Sequence, residues 1–163
     1  MQATKDTFYI ALRDRLVQVD PNLTIVIDGA TRPAIVVTEN EPPSAQSRQD
    51  EAFYLDWGSA HPVQPATSTL MAMDCMIGYT CSGQSDSGGV DRGRKLSALD
   101  ADLLAICAPA QAHKNDYSSG SPVDLASYIF WSAPKLEPLK VEAKQVGRQA
   151  LVTVFFYPEV NQQ

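Results

Sequence analysis

The segment Ser85-Asp86-Ser87-Gly88-Gly89 is the stretch of this chain whose residue types most resemble reactive chemistry. It matches the nucleophile loop of a trypsin-type protease, which needs a histidine base and an orienting aspartate upstream in the order His, Asp, Ser. His61 and Asp74 keep that order, but they lie too close to the serines in the chain to be held by two β-barrels. Gly83 and Gly88 carry the four-residue gap of a phosphate-binding loop. Gly89 and Val90 follow where Lys and Ser/Thr are needed, so nothing bridges terminal phosphates. His61 and His113 are isolated and no Cys-x-x-Cys pair occurs, so no metal site is expected. The sequence therefore assigns no catalytic, cofactor or metal residue.

Cys75, Cys81 and Cys107 are too few and odd in number for a disulfide framework. Cys75 and Cys81 would sit roughly 20 Å apart on a strand, beyond bridging distance. They read as buried thiols of a reducing cytoplasm, where the Asn22-Leu23-Thr24 sequon carries no sugar. Arg92, Arg94 and Lys95 form a basic knot at a helix entrance, where cations oppose the helix dipole. That placement sets a docking contact with an acidic surface or a phosphate beside the plainer reading of a solvated face.

The 163 residues carry a net charge of −6, with 44% hydrophobic and 20% charged residues. This composition suits one buried core and excludes a chain disordered throughout. An acidic chain lacks the basic surface that neutralises nucleic-acid phosphates. The N-terminus scatters charge through its first sixteen residues, so neither a signal peptide nor a membrane span is expected.

The elements that position these residues follow from periodicity. Phe8, Leu12, Leu16 and Val19 recur at helical spacing and predict a helix over residues 3–19, with Thr4 as N-cap. Leu23–Ile27 and Ala34–Thr38 read as a hairpin joined by Asp28-Gly29-Ala30-Thr31. Glu39–Glu51, with Pro42-Pro43, reads as an exposed loop. Ala52–Trp57 alternates as a strand, and Gly58–Pro65 reads as a loop leading to a long strand, Thr67–Cys81. That strand puts Met71, Met73, Cys75, Ile77, Tyr79 and Cys81 on one face and would run roughly 45 Å. Ser82–Gly89 is a flexible loop by composition. Leu96, Leu99, Leu103 and Ile106 predict a second helix that starts at Ser97, since Gly93 disfavours an earlier start. Residues 114–122 read as loop, Leu125–Trp131 and Leu139–Ala143 as strands, Gly147 as a turn and Ala150–Tyr157 as the last strand. Phe155, Phe156 and Tyr157 are consecutive, so both faces of that strand carry aromatic mass. Such a sheet needs a helix on each side or a partner subunit on one.

This order of elements resembles the tail terminator (tail completion) proteins of long-tailed bacteriophages. The resemblance rests on the opening helix, the Arg32–Val37 return strand, Phe53-Tyr54-Leu55-Asp56-Trp57, the strand-to-helix run Leu70–Cys107 and the closing strand Leu151–Tyr157. It implies an α+β fold: a mixed or antiparallel sheet of about five to six strands flanked by two main helices. It further implies one domain over 1–163, with exposed loops at about 39–51, 82–95 and 109–122. Subunits would form a sixfold ring that caps the tail tube and meets the head–tail connector protein. DNA would pass the acidic lumen without specific binding, in a virion neck assembled in the host cytoplasm. Arg92, Arg94, Lys95, Asp86, Glu39, Glu41 and Arg48 are the candidate protein-interface residues. The same order would serve another connector or a tail-tube-like subunit. From a different class, a small hydrolase with a site dispersed around Ser85 or Ser87 is the alternative, and an adaptor unrelated to phage is a third.

Overall fold

The computed structural model describes residues 1–41, 48–64, 69–83 and 90–159. The expectations for Pro42-Pro43, Thr67, Ser85, Asp86 and Ser87 lie outside these. The chain forms an α+β fold in which two helices pack on a mixed sheet.

Helix α1 (Gln2–Val19) buries Phe8, Leu12 and Leu16 completely, as the spacing requires, whereas Val19 at its end is exposed. Thr4 is not the N-cap; Met1 holds that position and Thr4 lies buried in the first turn. Strands β1 (Thr24–Ile27) and β2 (Ala30–Pro33) form a hairpin tighter than the one expected. Asp28 and Gly29 take φ of 50° and 78°, the left-handed pair that closes a two-residue turn. Pro33 ends β2, and Ile35–Val37 (β3) leaves the hairpin to run parallel to β4 (Phe53–Pro62). The expected return strand is thus split between two sheets. A single 3-10 turn, Thr38–Asn40, follows β3 within the predicted loop.

Strand β4 continues through the predicted loop at Gly58–Pro62, because a bulge between Trp57 and Ala60 absorbs the irregular residues and pairing with β5 resumes. β5 (Met71–Ser82) is shorter than expected at 12 residues, but it is the central beam, paired along its length with β10 (Gln145–Phe156). Helix α2 (Asp91–Ile106) begins six residues before Ser97. Its first turn is held by tertiary contacts, with the Cys81 thiol donating to the Arg92 carbonyl (3.4 Å) and Lys95 paired to Glu51 (3.0 Å). These outweigh a glycine penalty of about 1 kcal/mol at Gly93.

Gln111–Asp116, predicted as loop, is β6, an edge strand pairing with β7 (Val123–Trp131). Its polar sequence hides the alternation, since Lys114 occupies an inward position. After β7, Pro134 and Pro138 break the pairing with β10 into two short pieces, β8 (Lys135–Leu136) and β9 (Lys140–Val141). The predicted strand 139–143 shrinks to β9. Gly147 is not a turn but a residue of β10, where a Cβ would come within 3.0 Å of the Tyr79 carbonyl oxygen. The strand order is β3-β4-β5-β10-β7-β6, with β8 and β9 on β10.

One face of this sheet carries the core. Met73, Cys75, Ile77, Tyr79 and Cys81 of β5 meet Val152, Val154 and Phe156 of β10, with Leu96, Leu99, Leu103 and Ile106 of α2 above them. Phe8 of α1 stands edge-on to Trp57 and Trp131 at 5.5 and 5.3 Å, contacts worth roughly 0.5–1.5 kcal/mol each beyond burial. Cys75, Cys81 and Cys107 are buried free thiols.

Candidate functional site

Period two assigns Ala72, Asp74, Met76, Gly78 and Thr80 of β5 to the face opposite the helices. Register extends that face across the sheet, through Phe155, Thr153, Leu151, Gln149 and Gly147 of β10, then Phe130 and Tyr128 of β7. Both helices belong to the other side. Among the described residues, this face is covered toward the β3–β4 edge, where Ile25 of the β1–β2 hairpin clusters with Val36 and Tyr54, and by the 48–50 segment, whose Arg48 reaches over Gly78 and whose Asp50 accepts from the Thr80 hydroxyl at 2.7 Å.

At the opposite end the face is aromatic. Phe130 stacks on Phe155 with centroids 5.1 Å apart and planes 14° from parallel. Tyr128, opposite His113 in register, meets its ring at 4.3 Å. Phe130 is 38% exposed, Tyr128 44%, and Tyr157 just beyond β10 is 50% exposed. Exposed aromatics gathered on a rigid strand surface are what protein interfaces use as anchors, because little conformational entropy is lost on docking. Asp74 within this face accepts from the Thr153 hydroxyl at 2.7 Å through Oδ1, which ties it to β10.

The helix side holds a cavity of about 720 Å³ between the start of α1, the β6–β7 hairpin and Pro158–Glu159. Lys114 lies at this cavity, 1% exposed, its ammonium 2.9 Å from Glu159 Oε1 and donating to the Tyr157 carbonyl at 2.5 Å. Burial opposes ionisation of Glu159, yet hydrogen bonds from the Met1 amine and Lys114 hold its carboxyl below the usual range. This pair ties the end of β10 to β6. Toward the other end of β5, the Tyr79 hydroxyl donates to Asp100 at 2.5 Å, and burial followed by that carboxylate pushes its phenol far up. Both arrangements are committed to internal partners and present no free nucleophile.

The residues singled out from sequence are dispersed. His61 is exposed on β4, in register with Ala72, and His113 is exposed on β6. Among the six described interface candidates no ion pair joins any two. Glu39 pairs with Lys5 at 2.9 Å, Arg48 with Asp56 at 2.8 Å, Lys95 with Glu51, and Glu41 with Arg32. Arg92 and Arg94 lie in the first turn of α2, Arg94 exposed and Arg92 half-buried against Gly83. Asp86 is outside the described residues. The aromatic corner escaped site assignment because Tyr128 and Phe130 look like core residues in a list. Their alternation with buried Ile129 and Trp131 was the available signal. Among the described residues no cluster of three metal-ligating side chains occurs, and no helix is long and apolar enough to cross a membrane. No protein-family model matches the chain, and no curated protein matches it in sequence.

Proposed function

We propose that this chain is a non-enzymatic assembly subunit that binds protein through its helix-free sheet face. The observation that carries this reading is the aromatic corner of exposed Tyr128 and Phe130 and half-buried Phe155, on a face that neither helix covers. Exposing such a patch has no benefit for an isolated subunit, and burying it in an oligomer removes it from water. The element order supports the narrower reading that the assembly is a ring capping a phage tail tube and meeting the head connector, as its resemblance to tail terminator proteins implies. The net charge of −6 suits a lumen through which DNA slides without sticking.

Size-exclusion chromatography with light scattering, on the protein alone and mixed with isolated tail tubes, tests the reading. The expected result is a concentration-dependent oligomer or a stable tube-bound species. A strict monomer under both conditions overturns it.

A further inference from the structure

A second feature of the helix-free face is a small cavity of about 130 Å³ where β5, β10 and β9 meet. Gly78 and Gly147 leave its floor without side chains, and Arg48, Lys140, Gln145 and Gln149 stand around it. Arg48 is held in place from two sides, its Nη2 bonded to Asp56 at 2.8 Å and its guanidinium carbon 5.2 Å over the Tyr54 ring. Its Nη1 reaches over Gly78, 3.3 Å from the position a Cβ would take. Lys140 donates to the Gln149 side-chain oxygen at 2.8 Å, which spends one N–H and leaves its charge without an ion pair among the described residues. The charge of Arg148 is answered by Asp100 at 3.3 Å and that of Arg48 by Asp56 at 2.8 Å, which leaves the Arg48 Nη1 edge to a further partner, and among the described residues Glu142 is the acidic one lining the cavity.

We propose that Arg48 and Lys140 form a receptor for one carboxylate side chain of a second copy of this chain. The inference rests on the self-association reading above and deepens it by naming a polar contact beside the aromatic corner. A guanidinium edge and an ammonium that both line this glycine-floored cavity suit a two-oxygen anion of carboxylate size. The chain as a whole carries −6, so any second copy offers carboxylates in excess to the Lys140 ammonium and the Arg48 Nη1 edge. A rim pair of this kind fixes register and steers association, and salt screens it.

Sedimentation velocity on wild type, Lys140→Gln and Lys140→Glu, at low and at high sodium chloride, alone and on tail tubes, decides the matter. Lys140 is exposed, so both variants keep the fold, which circular dichroism checks. The expected result is self-association weakened at least about tenfold by Lys140→Glu at low salt, with Lys140→Gln between and the differences shrinking at high salt. Wild-type assembly with unchanged constants in both variants overturns the receptor while leaving the aromatic interface standing. A wild type that stays monomeric alone and on tubes overturns both. Inorganic phosphate is the second probe: if it perturbs the Gly78 and Gly147 amide resonances without affecting assembly, and Lys140→Glu abolishes that, the cavity holds a free anion and the proposal is overturned.

Discussion

Replacing Tyr128 and Phe130 together by serine separates subunit folding from subunit association. The two rings are 44% and 38% exposed, and an aromatic side chain spans roughly 200 Å², so roughly 75–90 Å² of each remains open to a partner. At ~25 cal/mol per Å², covering that area contributes about 2 kcal/mol per ring. Ordering and desolvation at an interface offset part of this, so the pair contributes about 2–4 kcal/mol, or roughly 30- to 1,000-fold in Kd. The cost to the isolated subunit is smaller. Phe130 gives up its stack on Phe155, about 0.5–1.5 kcal/mol, and Tyr128 its contact with His113. A loss of about 1–2 kcal/mol lowers Tm by roughly 2–8 °C for a chain of this length. Sedimentation velocity reads the first effect and a circular-dichroism melt the second. A variant that self-associates within about threefold of wild type would show that the aromatic corner is not the contact.

Other outcomes follow from the interior. Lys114→Met, breaking a buried pair with Glu159, is expected to cost about 3 kcal/mol in urea unfolding at pH 7, and Lys114→Met/Glu159→Gln less than the sum of the single variants. Because the folded Glu159 carboxyl titrates below its unfolded value, its contribution is complete above the ordinary carboxylate range and lost as pH falls through the folded value. Glu159→Gln should therefore flatten the acid limb of the stability curve, and an unchanged limb refutes the assignment. Gly147→Ala is expected to destabilise by about 1–3 kcal/mol, since the new methyl meets Thr80 at 2.9 Å and the Tyr79 carbonyl at 3.0 Å. Gly93→Ala in α2 meets nothing within 4 Å and should stabilise by about 0.5–1 kcal/mol; the opposite order in paired melts refutes this reading of the two glycines. Burial pushes the Cys107 thiol up to about 12 and that of Cys75 well above its ordinary value, so both should resist a thiol reagent at pH 8 until denaturant is added. Fast stoichiometric labelling of the native protein overturns it.

The sequence by itself determined the elements whose residues bury one clear face. Phe8, Leu12 and Leu16 on α1, Leu96 to Ile106 on α2, and the odd-numbered residues from Met73 to Cys81 on β5 all lie where their period places them. Their burial depends on local repeat alone, which any partner surface satisfies. The tertiary structure decided whatever depends on a contact distant in the chain. Gly147 reads as a turn until β5 lies alongside it, and Gly93 reads as a helix stop until Cys81 and Glu51 anchor the first turn of α2. Lys114 reads as loop until Glu159 neutralises it, 45 residues further on. The candidate surface belongs to this second group. Alternation announces that Tyr128 and Phe130 face away from Ile129 and Trp131, but only the packing of both helices on one side leaves that face open.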